Sequence, residues 1–217
     1  MTTAESSTYL AEVVRELQRT WPENRSVRIV CHGHSVPAGY FATPCVRSLE
    51  AYPHRLYVSL KERFPCAVLN VIVTACGGEH SVAGARRFER DVLALRPDVV
   101  TIDYALNDRE IGLEEAHGAW KSMISTAVAT GARVLLLTPT HDLTQKPGQS
   151  AEGDPLRQHA GQVRQLAKEF RVGLVDSFAA FQEYEGDLHD LLSWCNHPSS
   201  RGHELVVREL LKWFPFV

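Results

Sequence analysis

The sequence predicts a single-domain, three-layer α/β/α fold built on a parallel five-stranded sheet. Two observations carry this. Apolar strand-like runs alternate with segments of helical periodicity along the whole chain. The strand-like runs are continuously apolar, as in a parallel sheet covered on both faces, and do not alternate as half-buried strands do. A length of 217 residues allows one domain with a sizeable core. No internal repeat, low-complexity segment or linker divides it, so 1–217 reads as one unit with 1–25 as an N-terminal helical extension.

The elements follow in order. Leu10, Val13, Val14 and Leu17 give residues 9–20 the spacing of an amphipathic helix. Residues 27–31 form a short apolar strand that ends at Gly33. Segment 51–64 reads as a helix. The β-branched run 67–74 is the second strand, followed by Gly77 and Gly78. Helix 85–95 stops before Pro97, and 99–102 is the third strand. Helix 113–129 ends at Gly131, and strand 133–137 stops at Pro139. A polar segment, 140–155, holds Pro147, Gly148 and Gly153. Helix 156–170, strand 172–175, a helix after Asp176 and a last helix over 202–214 complete the chain. The apolar C-terminus, 213–217, is expected to pack on the body.

Composition narrows the function classes. Hydrophobic residues make up 44% and charged residues 23%, as in ordinary globular proteins. A net charge of −3 and the lack of a basic run give no footprint for nucleic acid or an anionic membrane. The N-terminus lacks the basic start and apolar run of a signal peptide, and no stretch approaches the roughly 18 apolar residues of a membrane span. The cysteines, at 31, 45, 66, 76 and 195, are odd in number and have no CxxC spacing. A reduced, cytoplasmic protein without structural zinc is expected.

In open α/β sheets the ligand site lies beyond the carboxyl ends of the strands. Four segments there carry chemistry. Gly33-His34-Ser35, with Gly39 beyond it, can set a serine on a tight turn, where its own N–H helps to stabilise an oxyanion. It equally fits a helix N-cap. Gly77-Gly78 permits close backbone approach to a ligand, or makes a plain turn. Ala105-Leu106-Asn107-Asp108 offers a side-chain N–H₂ for an oxyanion, or a capping residue. His197, held out of the helix by Pro198, can serve as a general base.

Together and in this order, the four segments resemble the SGNH (GDSL-like) hydrolases from about residue 27 to the C-terminus. That family writes its nucleophile block GDS, then has a glycine, a GxND block and a late DxxHP block. Here these stand as Gly33-His34-Ser35, Gly78, Ala105-Leu106-Asn107-Asp108 and His197-Pro198, followed by Gly202-His203; the segment Arg96-Pro97-Asp98-Val99-Val100 also fits. The resemblance implies a flavodoxin-like sheet and a serine esterase. It makes Ser35 the nucleophile and His197 the base. The N–H groups of Ser35 and Gly78 and the side chain of Asn107 become the oxyanion hole. No metal or organic cofactor is implied, and the partner is a small ester.

The chain departs from that pattern at three places. His34 replaces the GDS aspartate, a change expected to touch local structure more than mechanism. Ala105 replaces a glycine. Trp194 stands where the DxxH aspartate belongs, so the carboxylate that orients the histidine is missing. The imidazole still needs an acceptor for its Nδ1–H. The carbonyl of Trp194 is the expected acceptor, which makes a Ser–His dyad, with Asp190 or Asp187 as the alternative carboxylate. Asp176 reads as a helix N-cap and Cys195 as a buried, inert thiol.

Two rival readings stand beside the esterase. His32, His34, His80, His141 and His197 lie near strand ends and form a candidate metal rim, although no HExxH is present. The missing aspartate also fits a degenerate member that binds a ligand without turnover. An acyltransferase differs only in its acceptor. With no lid-sized insertion, a small acyl ester is expected, with acetyl on a sugar preferred. Tyr40, Phe41, Tyr52 and Tyr104 are expected as its aromatic rim.

Overall fold

The computed structural model describes residues 2–143 and 153–216, so residues 144–152 of the polar segment lie outside the described residues. The elements run α1 (Ala11–Leu17), β1 (Ser26–Gly33), α2 (Ser35–Ala38), α3 (Tyr52–Arg63), β2 (Val68–Val73), α4 (Ser81–Asp91), β3 (Val99–Asp103), α5 (Leu113–Ala129), β4 (Arg133–Leu137), α6 (Pro155–Phe170), β5 (Gly173–Val175), α7 (Ser177–Gln182) and α8 (Ser200–Leu211). All five predicted strands are present. Their order is β2-β1-β3-β4-β5, and every pairing is parallel. This is the flavodoxin-like order, whose switch point lies between β1 and β3.

The period of two along each strand divides the core into two layers. Val27, Ile29 and Cys31 of β1 face one layer with Val99, Leu135 and Leu137. The helices α1, α3, α7 and α8 cover that face. Val30, Val100, Ile102, Val134 and Leu136 face the other layer, under α4, α5 and α6. The N-terminal helix packs as part of the body: Leu10, Val14 and Leu17 are each 1% exposed. At the C-terminus Trp213 and Phe214 are buried, and Phe216 stacks on Phe64 at the surface.

Helix starts follow local chemistry. Asp154 caps α6 by accepting from Leu156 N–H (3.0 Å), with Pro155 in the first turn, where a missing N–H costs nothing. Asp176 caps α7 by accepting from Ala179 N–H (3.1 Å), as read from the sequence, and Ser199 caps α8 through Gly202 N–H. Several boundaries differ from the sequence reading, two helix starts for reasons of capping. The fourth helix begins at Ser81, four residues early, because Asp108 accepts the Ser81 N–H (2.7 Å) from a neighbouring loop. Such a long-range cap has no local signature. The last helix starts at Ser200, on its serine cap.

Both strands at the switch point also run past their expected ends. Gly33 pairs with Asp103 in register, and the His34 N–H donates to the Asp103 carbonyl (3.2 Å). A side chain on Gly33 would run into that carbonyl and the Pro37 ring. Gly33→Ala is therefore expected to cost about 1–3 kcal/mol, the usual range for overpacking. Urea unfolding should show a lower midpoint at unchanged slope. A loss under about 0.5 kcal/mol would mean that the turn after β1 is slacker than this contact implies.

Candidate active site

Ser35 is the first residue of the short helix α2, directly after β1. His34 is its N-cap, accepting the Val36 N–H through Nδ1 (3.2 Å). Gly39 ends α2 in a left-handed turn at φ 92° that presses against the Ser48 backbone, which no larger residue allows. The turn places the Ser35 hydroxyl 2.9 Å from Nε2 of His197, across 162 residues of sequence. Both side chains are recessed, with Ser35 6% and His197 7% exposed. A hydroxyl on an imidazole nitrogen is the arrangement from which a base removes the proton as a nucleophile attacks.

Burial lowers the His197 pKa below the ordinary histidine value. The Phe41 carbonyl facing the ring opposes this, and His34 adds to it. Nδ1 of His197 is buried and makes no hydrogen bond of good geometry among the described residues. The expected Trp194 carbonyl is therefore not its acceptor. The turn 193–198 folds the other way: the His197 carbonyl accepts from Ser193 N–H (2.9 Å) and Trp194 N–H (3.4 Å), and Trp194 is 51% exposed. Phe41 replaces it as the backbone carbonyl beside the ring. No sequence signal marks a carbonyl, and Phe41 is fixed by its own turn, N–H to Cys45 carbonyl (2.9 Å).

Neither alternative carboxylate reaches His197. Asp190 pairs with Arg201 (3.2 Å) and accepts from the Tyr184 hydroxyl (3.3 Å). Asp187 is 71% exposed and engages His189. Cys195 is exposed, contrary to the expectation of a buried thiol.

The loop after β2 is built as a donor. Gly78 sits at φ 75° in a turn closed by Glu79 N–H to the Cys76 carbonyl (3.3 Å), and its N–H meets no acceptor among the described residues. The Ser35 N–H is likewise unengaged there. Asn107 donates one amide hydrogen to the Glu79 carbonyl (3.0 Å), leaving its second for another acceptor. The loop is anchored from behind. Glu79 takes hydrogen bonds from Arg87 and from the Tyr104 hydroxyl (2.8 Å). Burial opposes its charge, but those bonds hold its carboxyl below the usual range. Asp108 accepts from Ser81 N–H and, at 2.6 Å, from the Trp120 indole. These anchors went unseen in the sequence because none of them follows a local capping or turn pattern, the nearest pair, Glu79 and Arg87, being already 8 positions apart.

Tyr104 and Tyr52 are fully buried and do not line a rim; Tyr104 belongs to the loop anchor and Tyr52 to the core under β3. Of the four expected aromatics, Tyr40 lies beside the site, its ring 6.2 Å from that of His197. Phe41 is buried behind it against His203.

The five histidines proposed as a metal rim do not converge. His32 bonds Thr74 and Tyr104, and burial, with Arg87 nearby, lowers its pKa to about 4. His34 faces Asp103, His80 is the N-cap of α4, and His141 stacks on Phe178. Among the described residues no three His, Cys, Asp or Glu side chains group as a metal site. A cleft of about 700 Å³ lies at the opposite end of the sheet, between α1 and the starts of β1, β3 and β4, away from Ser35. Among the described residues no helix is long and apolar enough to cross a membrane.

Known proteins share this fold. The solved acetylxylan esterase of Geobacillus stearothermophilus superimposes with a TM-score of 0.74 at 24% identity, covering 88% of this chain and 95% of that one. An alpha/beta hydrolase enzyme from the metagenome of Lake Arreo, Spain, gives 0.71 at 21% identity over 88% and 97%. The fold is thus the SGNH hydrolase fold. In sequence, an acetylxylan esterase of Geobacillus stearothermophilus is 29% identical over 148 residues, a match spanning 60% of this chain and 65% of that enzyme. Residues 31–205 match the model of the GDSL-like Lipase/Acylhydrolase family, and the chain belongs to that family.

Proposed function

We propose that the protein is a serine esterase that hydrolyses small acyl esters, acetyl groups on carbohydrate in particular. The 2.9 Å hydrogen bond between Ser35 and His197 carries this reading. It joins a residue after β1 to one ahead of α8 at the switch point of the sheet, where the fold class binds its ligands. The acetylxylan esterase among the relatives supports the substrate class. The exposed cysteines, all free, suit a cytoplasmic setting. The whole of 1–217 acts as one catalytic unit.

Ser35 Oγ attacks the acyl carbon while His197 Nε2 takes its proton. The oxyanion draws on the N–H groups of Ser35 and Gly78 and on the spare amide hydrogen of Asn107. The proton then passes from His197 to the leaving alkoxide, and water, activated by the same imidazole, releases the acid. Catalytic mutants of the Geobacillus acetylxylan esterase alter a serine, an aspartate and a histidine three places after that aspartate. Trp194 holds the corresponding place here. The base is therefore oriented through backbone, with the Phe41 carbonyl beside it.

Hydrolysis of a chromogenic acetate ester in the presence of chelator should survive in the wild type and fall by a factor on the order of 10⁴ in Ser35→Ala. Equal activity in both proteins, or faster turnover of long acyl chains, would overturn the reading. The base must be neutral to act, and the His197 pKa is lowered. The acid limb of kcat/KM should therefore fall below the ordinary histidine value of about 6.5, with activity lost as pH drops through it. A limb at or above that value would contradict the assignment. Asp190→Asn and Asp187→Asn should each leave kcat within about twofold, as surface changes away from the chemistry do. A drop of orders of magnitude in either would restore a carboxylate triad.

A further inference from the structure

The chain lacks a carboxylate before His197, yet one lies beneath the nucleophile. Asp103, at the end of β3, has a side chain only 6% exposed, and its Oδ1 stands 3.4 Å from Nε2 of His34. Its Oδ2 accepts from the Tyr52 hydroxyl at 3.3 Å. On its other side the His34 ring presents Nδ1 to Ser35 Oγ at 3.3 Å. Ser35 then meets His197. The four side chains form one buried line, Asp103–His34–Ser35–His197, with contacts of 3.4, 3.3 and 2.9 Å.

We propose that Asp103, acting through His34, supplies the negative charge that the family pattern places three residues before its histidine. His34 touches the nucleophile, and Asp103 is a positioning residue. The inference rests on the Ser35–His197 reading given above. The Val36 N–H occupies Nδ1 of His34. The ring proton therefore sits on Nε2, on the Asp103 side, where the 3.4 Å approach is not aligned as a hydrogen bond.

The surroundings leave the Asp103 charge available. Burial pushes the Cys31 thiol up to about 12 and the Tyr52 phenol well above its ordinary value, so both stay neutral. Burial, with Arg55 and His197 adding to it, lowers His203 to about 3, so it too is neutral. Among the described residues no lysine or arginine pairs with Asp103. The cation it answers is the imidazolium formed when the Ser35 proton moves to His197 and the Oγ–acyl bond forms. No proton leaves or reaches His34 or Asp103 in this step. Among the described residues the side chain of Asp103 accepts a hydrogen bond from the neutral Tyr52 hydroxyl alone; a buried carboxylate so held is costly to fold, which fits a charge retained for the transition state.

The test is a charge-exchange cycle on the chromogenic acetate ester, with Ser35→Ala as the blank. Asp103→Asn removes the charge. His34→Asp doubles it, while an aspartate keeps an acceptor for the Val36 N–H. The pair His34→Asp/Asp103→Asn restores one charge in the other place. Each single variant should lose at least about tenfold in kcat, and the double should regain at least about tenfold over His34→Asp, as coupled neighbours do. In Asp103→Asn the acid limb of kcat/KM should also move to lower pH, because a negative charge that favours protonated His197 is gone. A purely structural role would lower the melting temperature and leave that limb in place. Additive losses in the cycle, or an unmoved acid limb, overturn the proposal while the esterase reading stands. Activity retained in Ser35→Ala overturns both.

Discussion

Gly33 and Asp103 stand opposite one another where β1 and β3 pair, and the close backbone approach at that point sets everything built on it. The two strands are adjacent in the sheet, but their crossovers leave toward opposite faces, so a crevice opens between their ends. A residue without a side chain at 33 lets the Asp103 carbonyl take the His34 N–H. That bond turns the chain into α2 and fixes where the Ser35 hydroxyl points. The same register brings the Asp103 carboxylate under the turn. One backbone contact thus sets the proposed nucleophile, its neighbouring imidazole and the buried carboxylate together.

The fold was legible because burial on both sheet faces writes a continuous apolar run into each strand, as in Val27 to Cys31 or Val99 to Ile102. The residues of the candidate site were legible for a different reason. Ser35, Gly78, Asn107 and His197 each follow a strand or precede a helix, where local chemistry leaves a recognisable mark. What escaped the sequence, the Ser35–His197 pair apart, was the relation between groups distant along the chain. The acceptor facing His197 is a main-chain carbonyl, which any residue provides, so Phe41 carried no sign of it. Tyr52 and Tyr104 had the composition of a binding rim, yet their hydroxyls find the carboxylates of Asp103 and Glu79, and the rings are buried. Asp103 itself was unreadable as anything but the end of a strand until His34 was seen against it.

The departures from the family pattern also take on a physical relation. Trp194 and His34 were read as separate changes, one removing an acid and one altering a turn. In space they concern the same hydroxyl from its two sides. His197 approaches Ser35 from the α8 side without a carboxylate, and His34 approaches from the β3 side with one. A site electrostatically incomplete along the chain is more nearly complete across the sheet.

The anchoring of the loop after β2 has a thermodynamic consequence. Glu79, Asn107 and Asp108 secure it entirely from the protein side, through Arg87, Tyr104, Ser81 and Trp120. Among the described residues, the contacts that hold this loop come from behind it and not from its solvent side. The ordering entropy of the Gly78 N–H is spent once, during folding, and does not recur with each substrate. In the proposed esterase such a hole would keep little reorganisation energy in reserve: it would receive the developing negative charge with dipoles already aligned and return to the same state when the product leaves.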